Sequence, residues 1–571
     1  MTDRRAPPRR TGVLVGRAAT TVLASLLVWF ALTAPNDLAG LSLAPFVRLP
    51  AEALLVAALL LVLRTRARRF VGVLVGLVLG ALSIVKVLDM GFRSVFRRSF
   101  DPVTDWTYVG SARDLLSDSI GPLAAVVVLA CAGAVMVGVL VAMSRSVLRL
   151  SGLVDRHRAT SVRVVAGFTL AWIGCAATGA ELVSGTRVAS AGAATLASDH
   201  WHQARAALRD RQVFARAVGV DRFRDAAGPD LLTGLRGKDV VIAFVESYGE
   251  AAVQGSPVSD RVAARLDAGT ARLGAVGYST QSAWLTSPTF GGISWLAHST
   301  LQSGLWVDSQ DRYDALLERE RLTLSGAFKR AGWRTVCHVP ANRRDWPEGA
   351  AFYRCDQLYD ARNVGYAGPR FGYATMPDQY TLKAFYDREL ARSDRAPVMA
   401  EIDLVSSHLP WAPLPRLIGW DEVGDGSVYA AMRADGQSED VVWRHPSTVR
   451  AAYAQAIAYS VDTLVSFVEW VDDDDLVLVM LGDHQPASVV SGSGASHNVP
   501  VTIIARDPAV MERIAGWGWQ DGLRPDSYAP VWAMDAFRDR LFTAYGPAPS
   551  APPEASDLTG QGRTRSGHGP Q

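Results

Sequence analysis

Residues 239–250 read DVVIAFVESYGE, and this stretch decides the fold. A short, β-branched apolar run ends in a glutamate and a glycine-containing turn, the pattern of a buried strand. Similar runs follow at RTVCHV (334–339), VMAEIDLV (398–405), LVLVML (476–481) and VPVTIIA (499–505). Segments of helical period separate them, among them SGAFKRAGW (325–333) and PSTVRAAYAQAIAYSVDTLVSFVEWV (446–471). Continuously apolar strands alternating with helices predict an α/β unit with a largely parallel central sheet covered on both faces. Ligands of such sheets gather at the carboxyl ends of the strands.

The residues at these strand ends share one chemistry. Glu246 follows the first run, Asp483 and His484 follow LVLVMLG in GDHQP, His338 ends RTVC, His408 follows VMAEIDLVSS, and His497 precedes VPVTIIA. Carboxylates and imidazole with an open position are what a catalytic divalent metal takes. Each residue alone has a plainer reading. A Glu after a strand is often a neighbour of a helix cap, Asp-His often an Asx turn, and a single His a buried polar group. The run Asp472 to Asp475 reads as a solvated turn. The combination carries the metal reading, with Glu246, Asp483 and His484 as ligands.

Upstream the composition changes. The chain of 571 residues is long enough for more than one folding unit. Its 58 basic and 56 acidic residues nearly cancel and give no sign of a nucleic-acid partner. Uncharged runs at 18–36, 53–63, 70–85, 119–144 and 164–180 predict a transmembrane bundle of about five spans within 1–184. Arg48 and Glu52 border the second run, and Lys86 and Arg163 border the third and last. Arginines cluster before the first span (Arg4, Arg5, Arg9, Arg10), at 64–69 and at 145–158, which places the N-terminus in the cytoplasm. Everything after residue 184 is then extracytoplasmic. Residues 185–235 read as a juxtamembrane helical linker, with His200-Trp201-His202 as an interfacial anchor. Residues 236–545 form the α/β domain, and the Pro-, Ser- and Gly-rich 546–571 a disordered tail.

FVESYG, followed by a hydroxyl-containing loop and much later by GDHQP, resembles the sulfatase-type branch of the alkaline phosphatase superfamily. With the N-terminal spans, the chain is similar to lipoteichoic acid synthases and membrane phosphoethanolamine transferases. The resemblance implies one divalent ion, Mn²⁺ ahead of Zn²⁺ or Mg²⁺, held by Glu246, Asp483, His484 and a loop threonine that is also the nucleophile. The loop SPTFGGISWLAHS (287–299) offers Ser287, Thr289, Ser294 and Ser299, with Thr286 just before. Thr289, ahead of two glycines, is the expected nucleophile and Thr286 the runner-up. The resemblance further implies substrate contacts from His338, Arg343 or Arg344, Trp346, His408 and His497.

The implied activity moves a phosphate-linked headgroup, glycerol phosphate ahead of phosphoethanolamine, from a membrane phospholipid to an envelope glycopolymer or glycolipid through a phosphothreonine. Hydrolysis by the same fold, and a catalytically inactive envelope-binding scaffold, are the alternatives. CHVPANR and TSPTF both depart from the C/S-x-P-x-R signature of sulfatases, which argues against formylglycine chemistry. Cys131 and Cys175 fall in spans, whereas Cys337 and Cys355 flank the His338–Trp346 loop on the oxidising side, where a disulfide is expected.

Overall fold

The structure is a computed structural model that describes residues 9–547 apart from residue 493. The tail expected at 546–571 lies, from residue 548 on, outside the described residues, as do Arg4 and Arg5.

The N-terminal part contains α1 (Arg9–Thr33), α2 (Ala51–Val62), α3 (Thr65–Phe96), α4 (Tyr108–Ile120), α5 (Pro122–Arg156) and α6 (Arg158–Thr178). Among the described residues, four helices are long and apolar enough to cross a membrane: Val15–Thr33 of α1, and all of α3, α5 and α6. The expected second span is the 12-residue α2. At about 1.5 Å per residue it reaches roughly 18 Å, short of a hydrocarbon layer of about 30 Å. Pro50 stands at its N-cap, and Leu63 ends it in extended backbone at ψ 144. The structure therefore shows four such helices and a shorter apolar one, where five were expected. Leu23, Leu26, Phe30, Leu74, Val127, Val135 and Leu170 are exposed, as lipid-facing side chains are.

Helices α3 and α5 pack through Gly72, Gly76 and Gly80, which share one face of α3. A Cβ on Gly76 would lie 2.3 Å from Ser144 Cα, so the approach requires glycine there. Polar groups fasten the bundle at both ends. Arg68 of α3 makes a two-pronged pair with Asp155 of α5, at 2.5 and 2.7 Å. Lys86 Nζ donates to Ala31 O and Ala34 O at 2.8 and 2.7 Å, occupying carbonyls at the end of α1 that have no helical partner. Asp89 accepts from Asn36 Nδ2 and from Phe100 N, and meets His200 Nε2 at 3.2 Å. His200 sits on α7 (Gly192–Gly219). Of the expected interfacial cluster, His200 is thus buried against α3, while Trp201 is exposed.

Two small pairings flank this bundle: β1 (Leu49–Pro50) runs parallel to β4 (Ala189–Ser190), and β2 (Glu181–Val183) hairpins with β3 (Thr186–Arg187). The main sheet contains β5 (Asp239–Val245), β6 (Ser279–Thr286), β7 (Arg334–Val339), β8 (Gln357–Asp360), β9 (Val398–Leu404), β10 (Leu476–Gly482), β11 (Asn498–Ala505), β12 (Gln520–Asp521) and β13 (Val531–Ala533). Their order is β12-β6-β11-β10-β5-β9-β7-β8, with β13 beside β6. The five apolar runs are all strands. From β10 to β8 the pairings are parallel, but β11 runs antiparallel to both β10 and β6, so the sheet is mixed. The largely parallel character expected holds across β10, β5, β9, β7 and β8, and β11 departs from it, since an apolar run carries no direction. β6, STQSAWLT, is too polar to stand out as an apolar run; it holds its place by pairing with β11, β12 and β13.

Alternate residues of β5 enter separate cores, as a pleated strand requires. Val241, Ala243 and Val245 pack towards the helix Pro446–Val471 and α9 (Ser259–Ala275), which follows the short α8 (Glu250–Val253). Val240, Ile242 and Phe244 pack with Phe328, Phe537 and Leu541 on the other face. Burial on both faces explains why the strand is apolar throughout. The Cys337–Cys355 disulfide forms, with its Cα atoms 5.9 Å apart.

Candidate active site

In the parallel register of β5 and β10, Gly482 stands opposite Val245, so the next residues of the two strands emerge side by side. Glu246, Asp483 and His484 meet there, buried, with ligand atoms within 4.8 Å of one another. His484 Nε2 lies 3.3 Å from Glu246 Oε1 and 3.4 Å from Asp483 Oδ2. Its Nδ1 is 2.8 Å from Gln485 O and donates to that carbonyl, which turns Nε2 towards the carboxylates. Asp483 Oδ1 accepts from the backbone N–H of Ser247 and of His484, both at 2.7 Å. Asp483 Oδ2 is buried without a hydrogen-bond partner. An orphaned carboxylate oxygen, a second carboxylate and an oriented imidazole fit a divalent cation of the Mn²⁺, Zn²⁺ or Mg²⁺ class.

The electrostatics show the same need. Burial and the neighbouring Glu246 carboxylate push Asp483 up to about 8. Burial disfavours the charged forms of His484 and Glu246 too. Asp483 and Glu246 outweigh it and raise His484 to about 9, and His484 outweighs it and holds Glu246 well below the usual carboxylate range. Without a cation the three groups can satisfy one another only by sharing protons.

The hydroxyl brought to this cluster is Ser294. Its Oγ donates to Glu246 Oε2 at 2.9 Å and stands 3.2 Å from His484 Nε2. The expected Thr289 is elsewhere: its Oγ1 lies 3.4 Å from Ser287 Oγ, and it is not among the residues lining the adjoining cavity. Thr286 Oγ1 donates to Asn498 Oδ1 on β11. The reason lies in the turn. After β6, Ser287 Oγ donates to Asp483 O at 2.5 Å, which holds the start of the loop. Gly291 (φ 70) and Gly292 (φ 150) then reverse the chain, Ile293 is held at φ 67, and Ser294 opens α10 (Ser294–Ser303). A β-branched residue at positive φ is strained, and such strain is kept where the surroundings impose it. Ile293, at the N-cap, supplies no side-chain cap, so the first N–H groups of α10 are free of one beside Ser294.

The cavity next to the cluster measures about 350 Å³ and is lined by Glu246, Asp483 and Ser294 together with Trp295, Trp346, Tyr373 and His408. Trp346 and His408 were expected as substrate contacts. The His408 ring stacks on Tyr373 at 3.7 Å, and its Nδ1 is 2.5 Å from Leu409 O. His338 does not reach the cavity. Its strand neighbours Cys337 and Val339 line it, so the pleat turns His338 to the opposite face, where it is buried and packs against Tyr359. Burial there drives His338 down to about 3. Arg344 is exposed and, like His497, does not line the cavity; His497 Nδ1 is 3.2 Å from Ser287 O.

The sequence reading passed over His298, Glu401 and Asp403, which also line this cavity. Their signals were present: His298 follows Ser294 by one helical turn, and EID interrupts an otherwise apolar strand.

No family model and no curated protein matches the chain. Among solved structures, it is similar to the lipoteichoic acid synthase LtaP from Listeria monocytogenes at 15% identity, covering 60% of this chain and 78% of that one, with a TM-score of 0.36. The Streptococcus pyogenes phosphoglycerol transferase GacH in complex with sn-glycerol-1-phosphate shows 14% identity, 59% and 79% coverage and a TM-score of 0.35. The C-terminal periplasmic domain of EcEptC from Escherichia coli in complex with Zn shows 12% identity, 55% and 83% coverage and a TM-score of 0.35.

Proposed function

We propose that this protein is a membrane-anchored phosphotransferase that takes a phosphate-linked headgroup from a phospholipid onto Ser294 and passes it to an envelope glycopolymer or glycolipid. The observation that carries the reading is the Ser294 hydroxyl, 2.9 Å from Glu246 and 3.2 Å from His484 within a buried carboxylate–imidazole cluster. A divalent ion held by Glu246, Asp483 and His484, Mn²⁺ ahead of Zn²⁺ or Mg²⁺, would lower the pKa of the hydroxyl and offset charge on phosphoryl oxygens.

The residues supply the rest. Ser294 Oγ, oriented by its hydrogen bond to Glu246, attacks phosphorus, and its proton is given up to solvent in the adjoining cavity. The bond to the diacylglycerol oxygen breaks, and the leaving alkoxide takes a proton, for which the cavity-lining His408 is placed. The uncapped N–H groups at the start of α10 receive the phosphate oxygens. An acceptor hydroxyl then attacks the phosphoserine and releases Ser294. The intermediate is thus a phosphoserine rather than a phosphothreonine. Glycerol phosphate remains the leading cargo and phosphoethanolamine the second.

A lipid donor fits the position of the loop. Val95 O, near the end of α3, lies where a Cβ on Gly291 would meet it at 2.3 Å, and Tyr108 of α4 stands 6.2 Å from Trp295. The nucleophile loop is therefore packed on the end of an apolar helix. Lys86, late in α3, meets carbonyls at the end of α1, so these two helices run the same way and the short α2 returns between them; counting that return as a fifth crossing, with the arginine-rich N-terminus in the cytoplasm, the site lies on the outer side.

Purified full-length protein incubated with phosphatidylglycerol and divalent metal, then digested and analysed by mass spectrometry, tests this. A glycerol phosphate adduct on Ser294, with diacylglycerol released, is expected. An adduct on Thr289, or none with turnover intact, would overturn the assignment. Adding acceptor separates transfer from hydrolysis: an elongated acceptor marks transfer, free glycerol phosphate marks hydrolysis.

A further inference from the structure

A second set of ligand-type side chains faces the same cavity. His298, Glu401 and Asp403 present ligand atoms within 4.8 Å of one another. Glu401 and Asp403 are two apart on β9, so the pleat sends both side chains to one face. His298 is on α10, one turn beyond Ser294, and its Nδ1 lies 3.5 Å from Asp403 Oδ1 and 4.0 Å from Glu401 Oε1. Ligands about 2.1 Å from one ion stand roughly 3–3.5 Å apart, so a small closure would bring all three to one cation.

The cluster sets like charges side by side. Two carboxylates face each other at nearly full burial, Glu401 at 4% and Asp403 at 15% side-chain exposure. His298 stands in ion-pair range of both. Gln302 Nε2 donates to Glu401 Oε2, which fixes that carboxylate and leaves Oε1 towards the imidazole. His298 is more than nine-tenths buried, and its Nε2 has no hydrogen-bond partner. The ring stacks on Phe244 at 3.9 Å, which sets its plane. Burial holds the imidazole neutral, the form that binds metal, and raises both carboxylates when no cation is present.

We infer that His298, Glu401 and Asp403 form a second binding site for a divalent transition-metal cation, Mn²⁺ or Zn²⁺, in the cavity that holds Ser294. An oxygen–oxygen–nitrogen set suits those ions. The inference goes beyond the transferase reading and shares no ligand with the first cluster.

Metal content of the full-length protein decides it. The protein is stripped with chelator, reloaded with Mn²⁺ or Zn²⁺, freed of loose ion by gel filtration and analysed by plasma mass spectrometry. Two ions per chain are expected. Glu401→Gln with Asp403→Asn should lower the count to one, and so should Asp483→Asn with His484→Ala. Because two buried substitutions can unfold the protein, His298→Gln is run alongside with circular dichroism, and it too should leave one ion in folded protein. One ion per chain in the parent, unchanged in the Glu401/Asp403 and His298 variants, would overturn the second site and leave the first intact. One ion lost only in those variants would support the second site and sink the first. No ion in folded parent protein would overturn both.

Discussion

Ser294 and His298 lie one helical turn apart on α10, and that turn divides them between two clusters. The Ser294 hydroxyl meets Glu246 Oε2 at 2.9 Å, while the His298 imidazole faces Asp403 Oδ1 at 3.5 Å. Residues four apart on a helix share a face, so one short helix presents a hydroxyl and an imidazole to one cavity. Moving α10 would disturb both.

Ser294→Ala should abolish adduct formation and lower turnover at least about 10³-fold, because removing a covalent nucleophile leaves only binding and electrostatic stabilisation. Thr289→Ala should keep the adduct and most of the turnover. Turnover of fluorescent phosphatidylglycerol and the mass of the tryptic peptide read both.

Chelation should remove activity and lower thermal stability together. A cation that binds only the folded state adds about 2.7 kcal/mol at 100 times its Kd. Differential scanning fluorimetry should show the melting point rising with added Mn²⁺ or Zn²⁺ in the parent. Asp483→Asn should respond more weakly.

Gly291→Ala should displace the nucleophile loop from α3. The position has φ 70, and the added Cβ would meet Val95 O at 2.3 Å, a backbone atom that cannot swing aside. A cost of about 1–3 kcal/mol is expected, with turnover lost well below the unfolding temperature. Gly237→Ala is the control, since it also sits at positive φ but meets nothing within 4 Å.

Cys337→Ser should destabilise the sheet unit by about 3 kcal/mol, since the disulfide closes a loop of 18 residues. Reductant should produce the same shift in the parent and none in the variant, as judged by thermal unfolding.

Asp378 should make stability fall as pH rises. Burial raises its carboxyl to about 6, against an ordinary 3.8, although Ser460 Oγ and the Ser406 N–H donate to it. The folded state therefore keeps a proton that the unfolded chain has released, and stability declines between about pH 4 and pH 6. Asp378→Asn should remove on the order of 2–3 kcal/mol of that decline, leaving the variant more stable than the parent at pH 7 but not at pH 4.

The sequence alone determined the apolar N-terminal runs, the strands of the α/β unit and which carboxylates and imidazole meet at their ends. Uncharged runs of spanning length follow from the cost of placing polar groups in hydrocarbon, and apolar runs such as DVVIAFV follow from burial on both faces of a sheet. Glu246, Asp483 and His484 were legible because each directly follows such a run, and parallel strands deliver their ends to one edge. Tertiary structure decided what depends on direction and on turns. The reversal of β11 makes the sheet mixed, Pro50 and Leu63 limit α2 to 12 residues, and the pleat of β7 turns His338 away while Cys337 and Val339 face the cavity. The hydroxyl that reaches the cluster is the sharpest case. The loop 287–299 offers several hydroxyls to the same sequence pattern, and only the reversal through Gly291, Gly292 and Ile293 sets Ser294, rather than Thr289, against Glu246. Spacing along a chain fixes which residues can meet, but positive-φ turns fix which one does.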